Sequence, residues 1–184
     1  MHTKRINTPL DHRQIAGLRS GEEVLLSGVI YTARDQAHKR LAEQIKKRVK
    51  LPFVLKGQAI YYCGPTKTPK GKAIGSCGPT TSKRMDEFTP ALLKHGLKGM
   101  IGKGSRDKEV VAAIKKNKAV YFLAFAGCGA LVSKYVKSAR PIAYKELGPE
   151  AIYELKVKDL PLIVGIDSKG KDVFEKYKHQ YKTI

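Results

Sequence analysis

The sequence contains no tryptophan, few acidic residues and no long hydrophobic run. Asp and Glu account for 16 of the 184 residues against 36 Lys and Arg, so the formal net charge is +20. No apolar run approaches the ~20 residues that span a bilayer. The residues after Met1 lack the apolar segment of a signal peptide. The sequence therefore predicts a cytoplasmic protein that does not associate with membranes.

Cysteine is scarce as well. The three cysteines, Cys63, Cys77 and Cys128, are odd in number, widely spaced and free of any CxxC pair. This spacing argues against both a disulfide framework and a self-contained metal site. We expect three small, partly buried thiols.

The excess of basic residues raises the question of nucleic-acid binding, because clustered Lys and Arg bind phosphates. The lysines are instead scattered over most segments, and no RNA-recognition signature or Cys/His finger accompanies them. This distribution disfavours a nucleic-acid partner. Docking on an acidic partner, attraction of anionic substrates and simple solubility remain open as explanations of the charge.

Apolar runs alternate with amphipathic segments along the chain. A hydrophobic content of 42% suffices for one core, so we interpret residues 1–184 as a single domain with a lysine-rich tail from about residue 172. The strand–helix–strand order predicts an α/β fold with a mixed, partly parallel sheet and a β-rich flank. The predicted strands are 24–31, 59–63, 74–77, 97–102, 119–125, 141–144, 152–157 and 162–166. The predicted helices are 35–50, 85–96, 107–117 and one ending near residue 136.

The run from Gly75 to Asp86 concentrates glycines, hydroxyl groups and the guanidinium of Arg84 in one short segment. Its glycines allow close approach of the backbone to a ligand. If a helix begins near Ser82, capped by the hydroxyl groups around it, the N–H groups and dipole of that helix favour an anion beside Arg84. The run predicts a loop that binds a carboxylate or phosphate, with an ordinary capped loop as the alternative.

Two further cations follow predicted strands, where open α/β sheets bind ligands. Arg34 stands between a strand and the helix that starts at Asp35, and Lys103 follows the strand 97–102 with a glycine on each side. Together with Thr80 and Arg84 they suit a carboxylate ligand, because arginine binds carboxylates bidentately. The Gly-Lys-Gly sequence by itself is typical of a turn and lacks the spacing of a P-loop.

Several of these segments together resemble the β subunit, or C-terminal domain, of the iron–sulfur class I fumarate hydratases and the related L-tartrate dehydratases. The resemblance runs from about Thr8 to Asp172. It implies a swivelling β/β/α domain that works with a separate α subunit, as a heterodimer or a tetramer of two copies of each chain. The segments that carry it are 34–38 (RDQAH), 78–86 (GPTTSKRMD), 102–104 (GKG) and 146–151 (ELGPEA).

The resemblance also implies roles for individual residues. Arg34, Arg84 and Lys103 would bind the two carboxylates of the substrate, and Thr80 would be the catalytic base. His38 is a candidate supporting residue in the Arg34 segment, with a solvent-facing helix histidine as the alternative. In the family a 4Fe-4S cluster is held by three cysteines of the α subunit, so no metal ligand is assigned to this chain.

The resemblance implies a hydro-lyase subunit that interconverts (S)-malate and fumarate, active only with its α subunit and belonging to the tricarboxylic acid cycle. Two alternatives stay open: a tartrate dehydratase β subunit, and a non-enzymatic module that binds nucleic acid or another polyanion. Lys83 departs from the family pattern, since many members have glycine there. This departure leaves the spacing of Thr80 and Arg84 intact.

Overall fold

Seven strands and six α-helices are present in residues 3–178, the part of the chain that the computed structural model describes. The strands are β1 (Lys4–Asn7), β2 (Glu23–Thr32), β3 (Ala59–Tyr61), β4 (Gly99–Gly102), β5 (Val120–Leu123), β6 (Val136–Ala143) and β7 (Ile152–Ile166). The α-helices are α1 (His12–Ala16), α2 (Asp35–Lys46), α3 (Thr89–Lys94), α4 (Lys108–Asn117), α5 (Gly129–Ser133) and α6 (Val173–Lys178). Two 3₁₀ helices span Ser82–Met85 and Lys145–Glu150.

The strands form one mixed sheet. Strands β1 to β5 pair in parallel in the order of the chain, and β7 runs antiparallel to both β2 and β5. Because β7 pairs with both β2 and β5, strands β2, β3, β4, β5 and β7 close into a ring. Strand β6 pairs with β7 outside it. The prediction of an α/β fold with a mixed, partly parallel sheet is confirmed.

Alternate residues of each ring strand pack into two separate cores. On β3 and the residues after it, Tyr61 and Cys63 belong to one cluster, whereas Ile60 and Tyr62 belong to the other. The first cluster takes side chains from all five ring strands and so fills the ring. The second lies between the ring and helices α2, α3 and α4. Strands buried on both faces read as continuous apolar runs, which is why β4 and β5 were predictable.

Several predicted boundaries are wrong. Residues 74–77 form no strand, and one continuous strand, β7, replaces the two predicted at 152–157 and 162–166. The strand predicted at 141–144 begins earlier, as β6. Helix α2 ends at Lys46, and Val49 beyond it is 53% exposed. The predicted helix 85–96 is shorter, because a 3₁₀ turn precedes α3.

The termini also differ from the sequence interpretation. Strand β1 and helix α1 were not predicted, since four and five residues are too few for a hydrophobic period to emerge. Within the lysine-rich tail predicted from about residue 172, α6 is helical. Residues 179–184 lie outside the described residues.

Candidate active site

The predicted site residues lie at one edge of the ring. Strands β2, β3 and β4 are parallel, so their carboxyl ends meet at the same edge. Arg34 follows the end of β2 by two residues, and Lys103 directly follows β4. The topology therefore brings together residues that are almost 70 positions apart in the sequence.

Backbone hydrogen bonds tie the loop 75–86 to that edge. The N–H of Thr80 donates to the carbonyl oxygen of Tyr62 over 2.7 Å, and the N–H of Ser82 donates to that of Lys103 over 3.0 Å. Between them, Thr81 and Lys103 form an isolated parallel β-bridge. The loop thus continues the sheet beyond β3 and β4, with Thr80 and Lys103 both half-buried at its surface.

The capping role predicted for the hydroxyl groups of this loop is wrong. The turn after Thr81 is a four-residue 3₁₀ helix, and Thr81 makes no side-chain cap. Ser82 is buried, and its Oγ hydrogen-bonds the Tyr121 hydroxyl at 2.9 Å, which in turn donates to the carbonyl oxygen of Gly104 at 2.8 Å. Such a short helix has little dipole, so side-chain cations dominate the positive charge here.

The two predicted arginines share one carboxylate. Arg84 Nε donates to Asp35 Oδ1 at 2.8 Å, and Arg34 Nε lies 3.6 Å from Asp35 Oδ2. Arg34 also lies 3.9 Å from a Glu150 carboxylate oxygen, and its side chain runs across Gly64, where a Cβ would come within 3.0 Å of it. The structure therefore brings Arg34 and Arg84 together on either side of Asp35.

His38 is fully buried, so its interpretation as a solvent-facing helix residue is wrong. Its Nδ1 lies 3.0 Å from the carbonyl oxygen of Arg34. A carbonyl oxygen can only accept, so Nδ1 carries the proton. Burial lowers the pKa of His38 from 6.5 to about 4, so the ring is neutral near pH 7. It meets the Tyr62 ring edge to face at 5.1 Å. His38 thereby supports the backbone that presents Arg34.

A buried ion pair beneath the loop was not predicted. Arg106 is fully buried, and its Nε donates to Asp86 Oδ1 at 2.6 Å. The other oxygen of Asp86 accepts the N–H of Asp107 at 2.7 Å, and Arg106 Nη2 donates to Thr89 Oγ1 at 2.8 Å. These contacts fasten the end of the 75–86 loop to the segment after Lys103. The only signal in the sequence was the presence of Asp86 in the family segment.

The cysteines do not form a cluster site. Cys63 and Cys77 are fully buried, and the Cys77 thiol donates to the carbonyl oxygen of Gly129 over 3.9 Å, whereas Cys128 is partly exposed. The neighbouring Cys77 thiol, together with burial, raises the pKa of Cys63, and the Cys63 thiol lowers the pKa of Cys77. Within residues 3–178 no three His, Cys, Asp or Glu side chains are grouped to hold a metal ion. This donor set does not fit a 4Fe-4S cluster.

The family model for the fumarase C-terminus matches residues 2–177. The chain belongs to the fumarase C-terminal family. The resemblance inferred from the loop and strand-end segments is thereby confirmed. None of the helices described in residues 3–178 has both the length and the apolar character needed to cross a membrane.

Relatives of two named kinds are similar to this chain. Fumarate hydratase 2 of Leishmania major is 37% identical over 175 residues, which are 93% of this chain and 31% of that protein. Anaerobic class I fumarate hydratase of Escherichia coli is 40% identical over 152 residues, 82% of this chain and 28% of that protein. L(+)-tartrate dehydratase subunit beta of Escherichia coli is 33% identical over 180 residues, 95% of this chain and 88% of that protein. The chain thus spans about a third of these fumarate hydratases and most of the tartrate dehydratase subunit.

Proposed function

We propose that this chain is the β subunit of a two-component iron–sulfur hydro-lyase that interconverts (S)-malate and fumarate plus water. The observation that carries the proposal is the gathering of Arg34, Thr80, Arg84 and Lys103 at one edge of the ring. The length match to a tartrate dehydratase β subunit supports a separate α subunit as the partner. A single domain and a cytoplasmic location belong to the same proposal.

In this proposal the three cations bind the substrate. A four-carbon dicarboxylate carries two negative charges, and arginine holds a carboxylate through two parallel N–H donors. Arg34 and Arg84 would each take part in binding a carboxylate, and Lys103 would add a point charge beside Thr80. The 4Fe-4S cluster would be held by the α subunit, where it would bind the substrate hydroxyl as a Lewis acid.

Thr80 would remove the proton from the carbon next to a substrate carboxylate. A hydroxyl is a poor base at neutral pH, so its alkoxide must be stabilised by nearby positive charge in a site closed to water. Lys103 is joined to the neighbouring Thr81 by the β-bridge, and Arg84 stands four residues after Thr80 in the same loop. In the reverse reaction Thr80 would return the proton to the same carbon.

The test is anaerobic co-expression with the α subunit, iron reconstitution and turnover of Thr80→Ala. A general base contributes about 10²- to 10⁴-fold, so we expect a loss in kcat of that order with the cluster spectrum and the complex intact. Thr81→Ala is the matched control, because its exposed side chain makes no cap and its bridge uses backbone atoms. Near-normal turnover by Thr80→Ala would refute the assignment.

The same preparation separates the alternatives. Higher kcat/KM for tartrate than for malate and fumarate would assign the chain to a tartrate dehydratase, a function favoured by the match over 88% of such a subunit. A polyanion-binding module would instead retain nucleic acid in a salt-dependent manner and copurify with no cysteine-bearing partner.

A further inference from the structure

Asp35 lies between Arg34 and Arg84, the two arginines that form the proposed clamp on the substrate carboxylates. Its Oδ1 accepts from Arg84 Nε at 2.8 Å, and its Oδ2 lies 3.6 Å from Arg34 Nε. The side chain is 22% exposed, so the carboxylate is largely withdrawn from water. One carboxylate therefore contacts two guanidinium groups that come from different elements of the fold.

The backbone favours a negative charge at this position. Asp35 is the first residue of α2, a helix of 12 residues, and the partial positive charge of a helix N-terminus stabilises an acidic side chain in the first turn. Arg34 precedes the helix in an extended conformation, with φ −120° and ψ −161°. Residues 34 and 35 thus lie at the corner between strand β2 and helix α2, where the Asp35 side chain reaches Arg84 of the 75–86 loop.

Asp35 engages the arginines through Nε. Among residues 3–178, no acceptor lies within hydrogen-bonding distance of the Nη atoms of Arg84, and that side chain is 51% exposed. A guanidinium held on its Nε side still presents its two terminal N–H groups to a carboxylate. The contact with Asp35 therefore orients Arg84 without using the donors that a substrate would need.

We propose that Asp35 is a positioning residue that holds Arg34 and Arg84 in place, one on each oxygen of its carboxylate, for binding a dicarboxylate. This inference rests on the proposed function. Two guanidiniums that share so small a space repel each other, and a carboxylate between them removes part of that repulsion before the substrate arrives. A clamp that is ordered in advance loses less conformational entropy on binding.

A role for Asp35 as a competitor of the substrate predicts the opposite change in substrate binding. If Asp35 only competed with the substrate for the arginines, its removal would free both guanidiniums and strengthen binding. Asp35→Asn keeps the shape of the side chain and removes its charge, so the direction of the change in KM decides between positioning and competition.

The first measurement is made on the full β chain without the α subunit. In ¹⁵N–¹H spectra, we expect the Arg84 Nε–H signal to be protected from exchange in the wild type and to lose that protection, at least tenfold, in Asp35→Asn. Asp159→Asn is the matched control, because Asp159 pairs with Arg5 at 3.6 Å on the exposed surface between β1 and β7. Equal protection in the wild type and in Asp35→Asn would overturn the inference, whatever the enzyme turns over.

The second measurement uses the reconstituted complex. We expect Asp35→Asn to raise KM for malate and fumarate about tenfold or more with kcat changed less than threefold, the pattern of lost ground-state binding. Asp35→Glu, which restores the charge, should recover part of the KM, and Asp159→Asn should match the wild type. An unchanged or lower KM in Asp35→Asn would overturn the inference. An inactive wild-type complex would refute the proposed function. The exchange measurement would then still test whether Asp35 holds Arg84.

Discussion

At the residue scale, His38 is buried in the core, where its imidazole ring must stay neutral. The ring is fully buried and neutral, with Nδ1 donating to the Arg34 carbonyl oxygen. Its Nε2 has no hydrogen-bond partner among residues 3–178. Protonation would place a charge in the core beside Arg106, which also lowers the pKa of His38. Acid should therefore destabilise the folded protein through protonation of His38, the residue that supports the backbone of Arg34.

His38 should make the protein lose stability between pH 6.5 and pH 4. Its pKa is about 4 in the folded chain against 6.5 for the ordinary value, so the unfolded chain binds the proton first as the pH falls. The stabilisation is complete above pH 6.5 and is lost as the pH approaches 4. The shift corresponds to about 3 kcal/mol at the acidic end.

We expect His38→Asn, which retains an N–H donor but does not titrate, to lower the stability at pH 7 and to flatten the pH dependence by about 3 kcal/mol. The measurement is urea unfolding at a series of pH values. His95→Asn is the control. His95 also hydrogen-bonds the carbonyl oxygen four residues before it, that of Ala91, but the His95 side chain is exposed. Parallel curves for the wild type and His38→Asn would contradict the prediction.

The sequence predicted some of these residues and missed their partners for a physical reason. Arg34, Thr80, Arg84 and Lys103 stand in short segments with recognisable residue types and spacing. The contact of Asp35 with Arg84 spans 49 positions, and opposite charge alone does not tell which Asp meets which Arg. Such partners are set by the closing of the ring, which a one-dimensional pattern does not contain.

At the scale of elements, the contact between the 75–86 loop and β4 depends on the absence of one side chain. A Cβ at Gly102 would lie 2.0 Å from Ser82 Oγ and 2.9 Å from Tyr62 Cδ2. The loop therefore packs directly on the backbone at the end of β4. This close approach allows the bridge between Thr81 and Lys103 to form.

Gly102→Ala should displace the loop from the sheet. The added methyl group meets the buried Ser82 and Tyr62, so we expect a loss of about 1–3 kcal/mol in the free energy of unfolding, as for other overpacked sites. We also expect a fall in turnover of the complex, because the displaced loop no longer holds Thr80 close to Lys103. Denaturant unfolding and steady-state kinetics measure the two effects.

Gly17→Ala is the control for that substitution. The Cβ of Gly17 meets only ordinary contacts at 3.5 Å and beyond, and its φ of −77° suits alanine. We expect both of its values to stay close to those of the wild type. Wild-type stability and turnover in Gly102→Ala would show that the loop does not depend on this contact.

Elements were predicted where their own residues decide the structure. Buried parallel strands and long amphipathic helices carry a hydrophobic pattern, so β4, β5, α2 and α4 were found. Residues 74–77 resemble a strand for another reason: Ile74 and Cys77, at the two ends of the segment, are buried in the cluster that fills the ring while the chain remains in a loop. Periodicity cannot separate a buried loop from a short strand.

At the scale of the whole molecule, the positive charge has little effect over most of the surface and a larger effect near the proposed active site. The net charge is +20, and most basic side chains face solvent, where each ion pair contributes little. At the edge of the ring that carries the proposed active site, however, Lys83, Arg84 and Lys103 lie close together where the 75–86 loop meets the end of β4. A dianionic substrate approaching this edge meets the field of the whole chain as well as the local cations.

This charge should make catalysis sensitive to salt. The Debye length shortens from about 30 Å at 0.01 M salt to about 10 Å at 0.1 M. Over that range we expect kcat/KM of the assembled complex to fall about threefold to tenfold through KM, with kcat nearly constant. Lys83→Gln should weaken the dependence, since Lys83 is 67% exposed beside the site. Lys137→Gln on β6 serves as the charge-matched control. A salt-independent kcat/KM together with weaker subunit assembly at high salt would assign the charge to docking on the α subunit instead.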